Sequence, residues 1–226
     1  MNWKLKAIIQ NAVDCLPNFL AYQVYYKIQR KFGNLRKICP FNNLNKSAQI
    51  SKLIIAQDRE VTGGTFLEVG TGRTLDVPLG LWLCGASKII TVDKNPYIKE
   101  ELIRESLVWI KNHRDKIRNL FGKLLYNDWF DGLISVCSDI DSLLKLTNIE
   151  YCSNIDAAFL PLENNSVDYH FSINTFEHIP HNGIENILLE GKRILNADGL
   201  LIHFIDLSDH FSHDDESITS IIFFEI

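Results

Sequence analysis

Thr65-Phe66-Leu67-Glu68-Val69-Gly70-Thr71-Gly72 is the stretch that decides how this chain folds. Five residues suited to a buried strand run straight into two glycines spaced by one residue. A helical pattern follows from about Val77 to Cys84, with Gly85 as its stop signal. Lys88-Ile89-Ile90-Thr91-Val92-Asp93 is then a second short apolar run of the buried-strand kind. Strand, glycine turn, helix and strand in so short a span form a βαβ unit, so the sheet is expected to be parallel with right-handed crossovers. Glycines belong at such a bend because only a residue without Cβ turns that tightly and lets a ligand touch the backbone. The helix start beyond it offers free N–H groups. Asp93 closes the second strand, where a carboxylate can accept both hydroxyls of a ribose.

Outward from this unit the pattern continues. Tyr97 to Phe121 reads as one long helix ended by Gly122, and Asp141 to Leu146 as a shorter one. A third strand signal lies near Asn154-Ile155-Asp156, about sixty residues after Asp93, which is more than one crossover helix needs. Val167-Asp168-Tyr169-His170-Phe171-Ser172-Ile173 is a fourth strand, Gly183 to Leu195 a helix, and Leu200-Leu201-Ile202-His203-Phe204-Ile205 a fifth strand. The fold class is therefore α/β, a Rossmann-like, doubly wound and mostly parallel sheet. Residues 1–60 are expected to form a helical extension and residues 61–226 the sheet domain. In the extension Ala21, Val24, Tyr25, Ile28 and Phe32 fall at helical spacing before Gly33-Asn34, and a second helix runs near Ser47 to Gln57.

Composition narrows the function. The 226 residues are 46% apolar and 23% charged, a globular balance that excludes disordered and collagen-like chains. A net charge of −5 argues against a dedicated nucleic-acid binder. The charge is uneven: the first 37 residues hold Lys4, Lys6, Lys27, Arg30, Lys31, Arg36 and Lys37 against Asp14 alone. A basic amphipathic helix of this kind either packs on the main domain with its lysines in water or lies on an acidic membrane surface or partner. Five scattered cysteines without a CxxC pair suggest reduced thiols and a cytoplasmic setting. No apolar run reaches the length of a membrane span.

The dinucleotide fingerprint is incomplete, because Leu75 stands where its third glycine would be. A pyrophosphate needs that close approach, so the departure favours an adenosyl ligand without phosphate over NAD. At this point the chain resembles a known family, the class I S-adenosylmethionine-dependent methyltransferases, in their methyltransferase-11-like form. Phe66 to Gly72 looks like the family's first motif and Val92-Asp93 like its second. Asp156-Ala157-Ala158-Phe159-Leu160-Pro161-Leu162-Glu163-Asn164-Asn165-Ser166-Val167-Asp168 looks like the third-strand turn with the lead into strand four. Asn174-Thr175-Phe176-Glu177-His178-Ile179 is similar to the segment after strand four. Around Arg193-Ile194-Leu195, the residues Asn196, Ala197 and Asp198 replace the usual Lys-Pro-Gly of a surface turn.

What the resemblance implies is a bound S-adenosyl-L-methionine. Gly70, Thr71 and Gly72 would run along its methionine and ribose, with Glu68 near the amino group. Asp93 would hold the ribose hydroxyls, Asp156 the adenine amino group, the Ala157 N–H a ring nitrogen, and Asn174 would sit beside the methionine tail. Methyl transfer chiefly needs alignment of nucleophile, methyl and sulfur, and a hydroxyl acceptor also needs a base. His178 and His210 follow strands four and five and are the candidate catalytic residues, with Asp206 and Asp209 flanking His210. His210-x-x-His213-Asp214-Asp215 has metal-ligand spacing, but no second ligand cluster accompanies it and no metal is expected.

The expected activity is a methyltransferase acting on a small-molecule or sugar-type acceptor. Two alternatives stand beside it: a methyltransferase-like binding module that is inactive or incomplete, and an NAD-dependent oxidoreductase on a similar fold. A nucleic-acid acceptor is not expected, since Asn174-Thr175-Phe176-Glu177 lacks the Asn/Asp-Pro-Pro-aromatic tetrapeptide of base-amino methylating enzymes. Few residues follow the fifth strand, and they end in the strongly apolar run Ser220-Ile221-Ile222-Phe223-Phe224-Glu225-Ile226. The C-terminal edge of the sheet thus reads as incomplete: either the chain is a fragment, or a partner subunit of a homo-oligomer supplies the edge.

Overall fold

The computed structural model describes residues 15–136 and 140–208. Two compact units are separable, one of Met1–Ile38 with Asp206–Ile226 and one of Cys39–Ile205. In the first, α1 (Asn18–Phe32) begins after Pro17 and ends where the Gly33 N–H donates to the Gln29 carbonyl. A single 3-10 turn over Asn34–Arg36 follows, and the Arg30 guanidinium donates to the Leu35 carbonyl at 2.6 Å. The apolar residues Leu20, Val24 and Phe32 of α1 are exposed.

The second unit holds the sheet. Its elements in chain order are α2 (Phe41–Ile55), β1 (Thr65–Val69), α3 (Asp76–Leu83), β2 (Lys88–Asp93), α4 (Glu100–Asn112), α5 (Arg114–Phe121), α6 (Asn127–Val136), α7 (Ile140–Thr147), β3 (Ile149–Ser153), β4 (Val167–Ile173), α8 (His181–Ile194) and β5 (Leu195–Phe204). The five strands lie in the order β3-β2-β1-β4-β5, and every pairing is parallel. The order reverses at β1, which pairs with β2 on one side and β4 on the other. This is the doubly wound arrangement expected from the βαβ pattern.

Burial follows the pleat. Phe66, Ile89, Tyr169 and Phe171 face the larger apolar cluster, shared with α2 to α7. Leu67, Val69, Ile90 and Val92 face the smaller cluster, shared with α8. Both faces of the central strands are covered, which is why β1 and β2 read as unbroken apolar runs rather than as alternating ones. Helix α3 is buried along its whole length. It reaches that position through small residues: a Cβ on Gly80 would lie 2.3 Å from Ser47 Oγ of α2, and that hydroxyl donates to the Val77 carbonyl at 2.9 Å.

Several elements differ from the sequence reading: α6 has no counterpart in it, and α2 starts at Phe41 rather than near Ser47. The helix expected over Tyr97–Phe121 starts at Glu100 and breaks at His113 into α4 and α5. There the His113 ring stacks on Trp109 at 4.0 Å, and its Nδ1 donates to the Trp109 carbonyl, an acceptor the helical backbone would otherwise use. The third strand lies at Ile149–Ser153, earlier than expected. It is bounded by Asn148 and Asn154 with φ of 50° and 59°, left-handed conformations that stop a strand and that asparagine tolerates. Asn154-Ile155-Asp156 forms the turn after it. Finally, β5 begins at Leu195 rather than Leu200, and its residues 196–199 are taken up by an irregularity in the pairing with β4 between Val167 and Tyr169.

Candidate functional site

Strand β1 delivers Glu68 and then bends through Gly70 and Gly72, whose φ of 86° and 73° only glycine takes up readily. The Gly70 N–H donates to the Val92 carbonyl at 2.9 Å, so the bend stays tied to β2. A Cβ on Gly70 would meet Thr175 Oγ1 at 2.4 Å, which brings the segment after β4 against the bend. On Gly72 nothing lies within 4 Å of that position, so the bend is open on this flank. The Gly72 N–H donates to Asp93 Oδ2 at 3.0 Å. Thr71 and Thr91 share a hydroxyl–hydroxyl hydrogen bond, and Thr91 donates onward to Glu68 Oε2 at 2.7 Å.

The electrostatics are unusual. Glu68, Asp76 and Asp93 keep 2%, 3% and 6% of their surface exposed. Among the described residues no salt bridge engages any of them. Burial pushes the Glu68 carboxyl up to about 8, opposed by the Thr91 hydrogen bond and reinforced by the charges of Asp93 and Asp76. Burial raises Asp93 to about 7, opposed by the Gly72 N–H. It raises Asp76 too, against hydrogen bonds that include those from Asn43 Nδ2 and Thr74 Oγ1 to Asp76 Oδ2, at 3.1 and 3.0 Å. Asp76 Oδ1 is buried without a partner. Three buried acids without a basic partner favour a cationic ligand, because a nearby positive charge would stabilise their ionised forms.

The remaining expected cofactor residues stand around the same strand ends. The Ile155 N–H donates to the Asp93 carbonyl, which sets the Asp156 turn beside the end of β2. Asp156 is exposed and its Oδ1 accepts from the Ala158 N–H, while Ala157 is buried. Asn174, with φ of 48°, ends β4 and donates its N–H to the Phe204 carbonyl. A cavity of about 650 Å³ opens beside this turn, with Asp156, Phe159, Leu160, Glu190 and Arg193 in its wall.

Of the candidate catalytic histidines, His178 ends the 3-10 turn Phe176–His178 and is exposed. His210 lies outside the described residues, as do Asp209, His213, Asp214, Asp215 and the apolar end at Phe223 and Phe224. Two other histidines sit inside the fold. His170 is fully buried with neither ring nitrogen hydrogen-bonded, and burial, aided by His203, lowers it to about 3. His203 takes a hydrogen bond with Ser172 Oγ through Nδ1 at 2.8 Å, stacks on Phe176, and is lowered by burial to about 4.

Sequence reasoning passed over Asp76, Thr91 and the Glu190–Arg193 pair. An acid in the first turn of the helix after the glycine bend was the available signal for Asp76. Thr91 carries no such signal because its partners are distant in sequence, and in Arg193 the nearby Glu190 hides the distant bonds to residues 160–164.

Residues 115–203 match the family model described as a methyltransferase domain. That stretch of the chain is therefore similar to a methyltransferase domain, and the strand order β3-β2-β1-β4-β5 is the doubly wound arrangement described above. The matched stretch starts after the glycine bend and Asp93, and it includes the Asp156 turn, β4, α8 and most of β5. Comparison with curated proteins found none that matches.

Among solved structures, a protein of Pyrococcus horikoshii OT3 is similar at 18% identity and a TM-score of 0.45, over 75% of this chain and 57% of that one. A putative S-adenosyl-L-methionine-dependent methyltransferase of Methanococcus maripaludis is similar at 15% identity and a TM-score of 0.44, over 80% and 61%. A putative sarcosine dimethylglycine methyltransferase of Galdieria sulphuraria is similar at 18% identity and a TM-score of 0.42, over 70% and 46%. The chain thus spans between about half and three fifths of the length of these structures. No helix among the described residues is long and apolar enough to cross a membrane.

Proposed function

We propose that this chain is an S-adenosyl-L-methionine-dependent methyltransferase acting on a small-molecule or sugar-type acceptor. The observation that carries the reading is the set of three buried acids, without a salt-bridge partner among the described residues, around an open glycine bend at the point where strand order reverses. That set suits a ligand bearing an ammonium and a sulfonium, and the open flank at Gly72 leaves room for it. Pyrophosphate is the wrong charge for this pocket.

The cofactor, when bound, supplies an activated methyl group on a cationic sulfur. The chain's own residues position it. Glu68, steadied by Thr91, faces the amino group; Asp93, held by the Gly72 N–H, accepts the ribose hydroxyls; and Asp156 with the Ala157 N–H reads the adenine edge. Asn174 and Thr175 close the pocket on the methionine side. For a hydroxyl acceptor His178 takes the proton, and His210 is the second candidate for that task. An amine acceptor deprotonated in solution requires no base from the chain.

Calorimetric titration with S-adenosylmethionine, followed by assay of labelled-methyl transfer into a metabolite extract, tests the proposal. Binding by the wild type, weakened about tenfold or more in Asp93→Ala with the fold intact, is the expected outcome. An intact protein that binds neither S-adenosylmethionine nor S-adenosylhomocysteine refutes it. Binding without transfer to any acceptor would instead favour the inactive-module alternative.

A further inference from the structure

The guanidinium of Arg193 on α8 spends all five of its N–H donors in one place. Nε donates to Glu190 Oε2 at 2.8 Å and Nη2 to Glu190 Oε1 at 2.6 Å. Nη2 also donates to the Leu160 carbonyl at 3.1 Å, and Nη1 to the Leu162 carbonyl at 2.9 Å and to Asn164 Oδ1 at 2.7 Å. Glu190 Oε1 in turn accepts from the Leu160 N–H at 2.7 Å. Leu160 is therefore gripped through both its N–H and its carbonyl by one ion pair on a rigid helix. Arg193 holds Glu190 below the usual carboxylate range, so the pair stays charged.

A surface ion pair three residues apart on a helix adds little stability by itself. This one differs because both partners reach away from their own helix to bind the backbone of a turn. The turn is the one that starts at Asp156-Ala157 and ends where β4 begins. Glu190 and Arg193 also form part of the wall of the cavity in which Asp156 and Phe159 stand, and Phe159 is 77% exposed. A large apolar side chain held open to water immediately before a doubly gripped residue gains free energy when a flat apolar ligand covers it.

We infer that Glu190 and Arg193 are positioning residues that hold the 156–162 turn so that Phe159 offers its ring as a stacking platform for adenine beside Asp156. The inference rests on the methyltransferase reading of the site and adds to it two residues that set how the base is recognised. The planar fork of Arg193 is needed because two carbonyls, a carboxylate and an amide must be met at once, which an ammonium cannot do.

The test compares S-adenosylhomocysteine with S-inosylhomocysteine, which lacks the adenine amino group, by titration calorimetry on the wild type, Arg193→Lys and Phe159→Ala. Arg193→Lys keeps the charge opposite Glu190 but loses the fork. It is expected to weaken S-adenosylhomocysteine binding about tenfold and to bring the affinities of the two ligands together. Phe159→Ala is expected to weaken both ligands by a similar factor while leaving their ratio unchanged. Melting temperatures measured in parallel separate a folding defect from a recognition defect. Wild-type binding with the affinity ratio unaltered in Arg193→Lys overturns the clamp, and unaltered affinity in Phe159→Ala overturns the platform. Absence of wild-type binding falsifies the methyltransferase reading instead.

Discussion

Glu68→Gln isolates the buried acid at the base of the glycine bend. In the folded chain this carboxyl is raised from 4.5 to about 8, so the native protein keeps a proton that the unfolded chain has already released. The stability this contributes is fully present below the unfolded value and is lost as pH rises through the folded one. One pKa unit corresponds to about 1.36 kcal/mol, and integration between about pH 7 and 8.5 gives a loss of roughly 1 kcal/mol from Glu68 alone. For a chain of this length that is a fall of roughly 2–4 °C in melting temperature. Glutamine keeps the shape and can still accept from Thr91 at Oε1, but it has no proton to lose. Thermal melts of both proteins across this interval, without ligand, should show the wild type dropping by that extra amount while the variant follows only the background. Parallel curves would refute the account, since they would mean that Glu68 is ionised throughout and that its surroundings tolerate the charge.

Other outcomes follow from the same geometry. Gly70→Ala forces a side chain into φ of 86° and against Thr175, and should cost about 1–3 kcal/mol in denaturant unfolding; an unchanged midpoint would show that the bend relaxes freely. His170 is neutral in the fold with its pKa lowered from 6.5 to about 3, so its contribution is lost as pH falls below the unfolded value of 6.5. His170→Phe should therefore flatten the acid limb of the stability curve between about pH 6 and 4, as followed by near-UV circular dichroism. An acid limb as steep as the wild type's would place the sensitivity elsewhere.

The sheet was readable because its chemistry is local. Buried parallel strands are short apolar runs, and Gly70, Gly72 and Gly85 punctuate them where the chain must turn. The third strand was misplaced because Ile149–Ser153 includes Glu150, exposed at the sheet edge, and so lacks the apolar texture of the interior strands. The break at His113 was hidden because it depends on a ring stacking over Trp109, which helical periodicity does not encode. At the site, Glu68, Thr71, Gly72 and Asp93 were legible as a motif, and the structure joins them through Thr91 and the Gly72 N–H. Asp76 escaped notice because its significance comes from burial beside two other acids. Arg193 escaped because its partners span residues 160–164 and 190.

The hydrogen bond from Asn43 to Asp76 ties the start of α2 to the acid trio. Together with the contact of Gly80 on Ser47, it makes the stretch from Pro40 onward a support behind the glycine bend. A protein shortened to begin at residue 60 would strip one donor from Asp76 and open a seam along the most deeply enclosed helix. The glycine bend would then lose its backing, with every residue of its motif still in place.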